Sequence, residues 1–264
     1  MDGETRVFDP RGFELPSEPL RERVRRAERL VVFTGAGISA ESGIATFRGS
    51  GTDALWGRFR PEEVATPEAF HRHPERVWRW YGERFRQVRA AQPNAGHRAL
   101  VRLAALFPLS LVVTQNVDGL HQRAGSRPVI ELHGSLATAR CDACGETTDM
   151  ERALDTSPDR PPACDCGGLL RPAVVWFGEM LPEGALETAI EEAARCDLFV
   201  AVGTSATVFP AAGLIDVAAG AGAVVVEVNP EATAFSRRAD LAVRRPAGEA
   251  LPALVAEIEA CRRR

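Results

Sequence analysis

Four cysteines fall in two close pairs, Cys141-x2-Cys144 and Cys164-x-Cys166, with 19 residues between the pairs. Four thiolates satisfy tetrahedral zinc and leave no position for water, so a site of this kind is structural and not catalytic. The second pair is one residue shorter than the usual spacing, and redox-active or free thiols are the competing reading. Cys196 and Cys261 stand alone and read as buried or incidental.

Other residues suited to chemistry sit just past short apolar runs. His133, in Glu131-Leu132-His133-Gly134, offers an imidazole of near-neutral pKa with a glycine beside it, as a general base requires, although a lone histidine is also a common structural group. Thr114-Gln115-Asn116-Val117-Asp118-Gly119-Leu120-His121 gathers amide, carboxylate and imidazole groups more densely than a helix cap needs. Gly35-Ala36-Gly37-Ile38-Ser39-Ala40 matches the G-x-G-x-x-G/A turn, in which glycines admit a pyrophosphate and amides at a helix start meet its charge. The same residues fit a plain glycine turn, and the second strand carries no evident acidic ribose-binding residue. Gly203-Thr204-Ser205 and Asn229-Pro230-Glu231 follow later apolar runs, and three such loops at the ends of strands in one sheet favour a shared nucleotide cleft.

The elements that must position these groups are legible as continuous apolar runs: Leu30–Phe33, Leu109–Val113, Val129–Leu132, Leu198–Val202 and Ala223–Val228. Runs without alternation imply burial on both faces, hence a parallel sheet covered by helices, an α/β doubly wound domain of Rossmann-like type. Leu20, Val24, Ala27 and Val31 recur at helical spacing and predict an amphipathic helix leading into the first strand. Two stretches break the rhythm. Residues 47–93 hold three of the four tryptophans and the only tyrosine at helix-like spacing, while residues from about 141 to 168 are rich in Cys, Pro, Asp and Gly. They are expected to form a helical module (47–93) and a zinc-binding module (137–171) packed together as a smaller domain, with 1–46, 94–136 and 172–264 building the Rossmann-like domain.

Composition narrows the function classes. Of 264 residues, 36 are acidic and 32 basic, interleaved along the chain, so no basic stripe advertises nucleic-acid binding. All the basic residues other than histidine are arginine. The acidic start, Met1-Asp2-Gly3-Glu4, lacks a secretory signal, and no apolar run reaches membrane-spanning length. A cytoplasmic location is the expectation, and there cysteines remain unpaired.

Taken together, Gly35 to Arg48 (GAGISAESGIATFR), Thr114 to Gly125 (TQNVDGLHQRAG), the Leu132-His133-Gly134 motif, the paired cysteines and CGGLLRPAVVWFGE from Cys166 resemble the sirtuin signature, in order and over nearly the whole chain. The resemblance implies an NAD-dependent protein-lysine deacylase that transfers the acyl group to ADP-ribose and releases nicotinamide. It implies that Gly35, Ala36, Gly37, Arg48, Gln115, Asn116 and Asp118 line the NAD pocket, Asn116 near the nicotinamide as a catalytic group. Gly203, Thr204, Ser205 and Asn229 would hold the adenosine half, with Ala247 by the adenine, and His133 would be the base that takes a ribose hydroxyl proton. Val174–Gly178, through Val175 and Phe177, would pair with the substrate peptide by main-chain hydrogen bonds.

Tyr81-Gly82-Glu83-Arg84 resembles the Tyr-x-x-Arg of sirtuins that prefer succinyl- or malonyl-lysine; residues i and i+3 share a helix face, so both could meet one carboxylate. Ala69 resembles the small residue that leaves that pocket roomy. Ala45 departs from the proline of many members, and the shortened Cys164-x-Cys166 pair alters the zinc loop. The implied partners are acylated lysines of proteins, with neither nucleic acid nor membrane, and a monomer is plausible. A non-catalytic NAD-binding module, a zinc-ribbon nucleic-acid binder and an ADP-ribosyltransferase are the competing classes. The first would tolerate loss of His133 or Asn116, both of which are present.

Overall fold

Residues 15, 17–46 and 60–263 are described by a computed structural model. Nine strands follow in chain order: β1 (Arg29–Thr34), β2 (Leu109–Thr114), β3 (Val129–Glu131), β4 (Gly134–Cys141), β5 (Thr147–Asp149), β6 (Leu170–Val174), β7 (Leu198–Val202), β8 (Val224–Val228) and β9 (Leu241–Val243). Six of them form a parallel sheet in the order β3-β2-β1-β7-β8-β9, and the other three form an antiparallel sheet, β5-β4-β6. Counting only its own strands, the large sheet runs 3-2-1-4-5-6, the doubly wound order of dinucleotide-binding domains.

The apolar runs become strands buried on both faces. Leu30, Val32, Leu198, Val200, Val202, Val224, Val226 and Val228 turn to one side, where helices Glu18–Arg26, Ala95–Ala104 and Ala247–Arg263 cover them. Val31, Phe33, Phe199, Ala201 and Val225 turn to the other, under helices Ala185–Arg195 and Leu214–Gly220. The first helix stops at Arg26, short of the spacing read from the sequence: Ala27 is already extended at ψ 131, and Val31 lies in β1 on the opposite face of the sheet from Val24. Its start follows local chemistry, since the Ser17 hydroxyl accepts from the Leu20 amide, with a proline in the first turn and arginines in the last.

A third core belongs to the smaller domain. Val64, Phe70, Trp78, Tyr81 and Phe85 of the helical module pack on Leu136, Ala139, Met150, Leu154, Val174 and Trp176, so the two excursions share one interior. Trp78 Nε1 donates across it to the Ser157 carbonyl at 2.8 Å. No helix among the described residues is long and apolar enough to cross a membrane.

Two buried imidazoles lie beneath the C-terminal edge of the large sheet, their ring centroids 5.0 Å apart. His121 Nε2 meets Thr34 Oγ1 at 2.9 Å, and that hydroxyl donates to Thr114 Oγ1 at 2.7 Å, tying the ends of β1 and β2. Burial holds His97 down to about 4, helped by Arg98, and His121 down to about 3, helped by His97. In the unfolded chain both revert to about 6.5, so the unfolded state binds the extra protons. This stability is present above pH 6.5 and is lost as pH falls towards 4 and 3, by about 1.4 kcal/mol per pH unit for each imidazole. Denaturant midpoints measured from pH 7 to 4.5 should fall, and His97→Gln should remove about one proton of that dependence; an unchanged slope in the variant would show that His97 titrates normally.

Candidate functional site

β1 and β7 are neighbours at the point where the sheet order reverses, so their C-terminal loops open a crevice between them. The Gly35 amide donates to the Val202 carbonyl at 3.0 Å and the Gly37 amide to the Gly203 carbonyl at 2.9 Å. A Cβ on Gly37 would lie 2.6 Å from Gly203 Cα, and one on Gly203, at φ +58, would lie 2.4 Å from the Ile38 amide nitrogen. These glycines are thus required by loop-on-loop packing, a constraint the sequence pattern does not reveal. With the Gly35, Gly37 and Ile38 amides bonded inside the protein, side chains supply further polarity: Gln115 Nε2 donates to Thr204 Oγ1 (3.0 Å) and Asn229 Nδ2 to the Thr204 carbonyl (2.9 Å).

A cleft of about 1080 Å3 runs from these loops to the smaller domain. Gly35, Ala36, Gly37, Gln115, Asn116, His133, Gly203, Thr204, Ser205 and Asn229 line its sheet side. Tyr81, Arg84, Val175 and Phe177 line the other. Three sequence candidates among the described residues, Asp118, Ala247 and Ala69, are not on its wall. Asp118 is buried behind Asn116, and Ala247 sits in the core, where its neighbour Pro246 takes the place at the cleft. Arg48 lies outside the described residues. Ala69 is buried in the core of the smaller domain.

His133 Nδ1 is 3.1 Å from the Gln115 carbonyl. Since that carbonyl can only accept, Nδ1 carries the proton and Nε2 is left as an acceptor. Burial lowers the imidazole pKa below its ordinary value, and the bond to Gln115 partly offsets this. A neutral, oriented ring of this kind can accept a proton from a hydroxyl bound in the cleft.

Behind Asn116 lies a hydroxyl that sequence reading missed. Ser39 Oγ accepts from Asn116 Nδ2 at 3.2 Å and donates to Asp118 Oδ2 at 2.7 Å, while Asp118 Oδ1 accepts from the Leu120 amide at 2.9 Å. Burial raises the Asp118 pKa, and these donors pull it back. Asp118 therefore orients Asn116 through Ser39 from behind the wall. The only sequence signal was a hydroxyl at a variable position of the glycine turn.

At the far end, Tyr81 is buried and its hydroxyl accepts from Trp176 Nε1 at 2.9 Å, which leaves the phenolic proton to donate. Arg84, also buried, donates to Gln87 Oε1 at 3.2 Å and forms no salt bridge among the described residues. A buried guanidinium short of acceptors beside a phenolic donor suits a carboxylate ligand. The Val175 amide donates to the His133 carbonyl (2.9 Å) and the Phe177 amide to the Ala65 carbonyl (3.0 Å), so both are already committed.

The four cysteine sulfurs lie within 4.8 Å of one another. Cys141 Sγ is 3.5 Å from Cys166 Sγ, and Cys144 Sγ is 3.8 Å from Cys164 Sγ. Zinc–sulfur bonds of about 2.3 Å in a tetrahedron place sulfurs roughly 3.8 Å apart, so the cluster fits one structural zinc. The short second pair closes because the Cys164 amide donates to the Gly168 carbonyl at 2.7 Å, and a Cβ on Gly168 would strike Cys141 Sγ at 2.7 Å.

The Sir2 family model matches residues 35–210. An NAD-dependent protein deacylase 2 of Pyrobaculum aerophilum is 53% identical over 230 residues, covering 87% of this chain and 90% of its own. NAD-dependent protein deacylase 1 of Archaeoglobus fulgidus is 48% identical over 242 residues, 91% and 97% of the two chains. A solved Sir2 homolog–NAD complex superposes with a TM-score of 0.85 at 47% identity, covering 94% of this chain and 96% of that one. This chain belongs to the Sir2 family.

Metal analysis of protein prepared without chelators should give about one zinc per chain, and stripping it should unfold the smaller domain, because binding energy at such sites is folding energy. Fully active protein without zinc would refute the assignment.

Proposed function

We propose that this chain is an NAD-dependent protein-lysine deacylase that passes the acyl group to the ADP-ribose half of NAD and releases nicotinamide. One observation carries the reading: His133, its Nδ1–H committed to the Gln115 carbonyl, lines the same cleft as the β1 and β7 loops. In that cleft NAD supplies the nicotinamide–ribose bond that breaks and the hydroxyl that takes the acyl group. His133 Nε2 accepts the proton of that hydroxyl. Asn116, held by Ser39, orients the nicotinamide end; Gly35, Ala36 and Gly37 face the phosphates; Gly203, Thr204, Ser205 and Asn229 hold the adenosine half. The Asp118 and Ala247 contributions are indirect, from behind the wall, and Arg48 is a further NAD-binding residue on this reading. The zinc module keeps the smaller domain folded without entering the reaction.

The chain divides on this reading into a Rossmann-like domain of residues 1–46, 94–136 and 172–264, with 47–93 and 137–171 as the smaller domain. Acylated lysine enters between the two, with Val175 and Phe177 contributing side chains to the peptide path. The acyl groups favoured are succinyl and malonyl, since Tyr81 and Arg84 offer a carboxylate one phenolic and several guanidinium donors at the buried end of the cleft.

Incubation with NAD and matched acetyl-, succinyl- and malonyl-lysine peptides, with mass detection of products, tests both claims. A charge-assisted hydrogen bond worth roughly 1.5–3 kcal/mol corresponds to about ten- to a hundredfold in kcat/KM. Arg84→Met should therefore depress desuccinylation by that factor relative to deacetylation. A parallel fall on both peptides would mean that only the helix was disturbed, and an unchanged ratio would make a general deacetylase the better description.

A further inference from the structure

Arg171 is a buried arginine in β6, 1% exposed, that none of the chemistry above uses. Its guanidinium grips Glu179 in a two-pronged pair, Nη1 to Oε1 at 2.6 Å and Nη2 to Oε2 at 2.9 Å, and also donates to the Val174 carbonyl at 3.1 Å. From one end Arg171 reaches the metal module: Nη1 lies 3.4 Å from Asp142 Oδ1, the residue next to Cys141, and the Asp142 carboxylate also meets His71 Nε2 at 2.7 Å. From the other it reaches the acyl pocket. Its Cζ stands 3.2 Å from the centroid of the Trp176 ring, and Glu179 Oε2 accepts from the Trp176 amide at 2.8 Å. The Trp176 indole in turn donates to the Tyr81 hydroxyl.

We propose that the Arg171–Glu179 pair is a positioning device that makes acyl recognition depend on the four-cysteine module. Asp142 is set by the cysteine loop, Arg171 is set by Asp142 and Glu179, Trp176 is clamped by both partners, and Trp176 fixes which way the Tyr81 hydroxyl can donate. The first link is the chain itself, Asp142 following Cys141, and each later one is a charge-assisted hydrogen bond, a cation–π contact or an indole donor to a hydroxyl, all with demanding geometry. A buried charge cannot relax into water when one link is lost, so a displacement at the metal loop is transmitted and not absorbed. Arg140 Nη2, 3.2 Å from Glu179 Oε1, keeps that carboxylate charged without replacing the two-pronged contact. The proposal rests on the reading of Tyr81 and Arg84 as the acyl-carboxylate site and adds that the zinc module helps to set its specificity.

The test uses full-length, zinc-loaded protein at saturating NAD. Glu179→Gln keeps the shape of the side chain but loses the ion pair, and Trp176→Phe keeps an aromatic ring but loses the donor to Tyr81. In both, KM for the succinyl peptide should rise about tenfold, as for other outer-shell partners, with a smaller rise for the acetyl peptide and little change in KM for NAD. Zinc release to a chromophoric chelator should be faster in Glu179→Gln, and saturating succinyl peptide should slow it in the wild type but not in Trp176→Phe, because coupling between sites is reciprocal. An unchanged succinyl-to-acetyl KM ratio in Glu179→Gln, or zinc release indifferent to Glu179→Gln and to the peptide, would overturn the proposal. Arg84→Met separates the two claims: a ratio it fails to move overturns the carboxylate reading, whereas a ratio moved by Arg84→Met but not by Glu179→Gln overturns the coupling alone.

Discussion

The contact between Gly37 and Gly203 is the constraint on which the rest of the site depends. Two loops from adjacent central strands touch backbone to backbone, with no room for a Cβ on either side. That contact sets the floor of the cleft and aligns Thr204 with Gln115 and Asn229, which reach it from the ends of β2 and β8. It also lets a seven-residue 3-10 helix, Ala36–Ser42, start directly over the sheet, so Ser39 can bridge Asn116 and Asp118. The helix Ala95–Ala104 is pinned to the same turn: its capping residue Asn94 donates to the Ile38 carbonyl and to Ser42. A larger residue at either glycine would therefore shift the polar groups on several elements at once.

A second constraint joins the two domains. The segment after β6 is stitched on one side to His133 through the Val175 amide and on the other to the helical module through the Phe177 amide. His133 and the Tyr81 hydroxyl are thus tied to one short piece of chain, in which Trp176 packs on Phe70 and Tyr81. The position of the imidazole and that of the Tyr81 hydroxyl therefore depend on one segment, which packs into the core that the two excursions from the sheet share.

Much of this was legible because burial leaves a pattern. β1, β7 and β8 are apolar at every position except Arg29, Thr34 and Glu227, and they read as continuous runs because helices cover both faces. β9 escaped notice at three residues, and β4 because its burial alternates irregularly around a register shift between Ser135 and Ala139. The cysteine spacing disclosed a metal site, while the closure of its short second pair needed the turn at Gly168. What sequence could not show is which polar groups are already satisfied. The commitment of the Val175 and Phe177 amides, the retreat of Asp118 behind the wall and the core position of Ala247 all depend on partners distant in the chain. Arg171 is the extreme case, since nothing in Leu170-Arg171-Pro172 marks an arginine as buried.

The central claim is that a single neutral imidazole, oriented by a main-chain carbonyl, supplies the base in a cleft whose dinucleotide contacts lie elsewhere. Paired measurement of NAD affinity by calorimetry and of deacylation rate in His133→Ala tests it most directly. The account predicts NAD affinity within a few fold of wild type and turnover lower by roughly 10²–10⁴-fold, the usual contribution of a positioned base. Near-normal turnover in a folded variant, or loss of NAD binding in step with loss of activity, would contradict it.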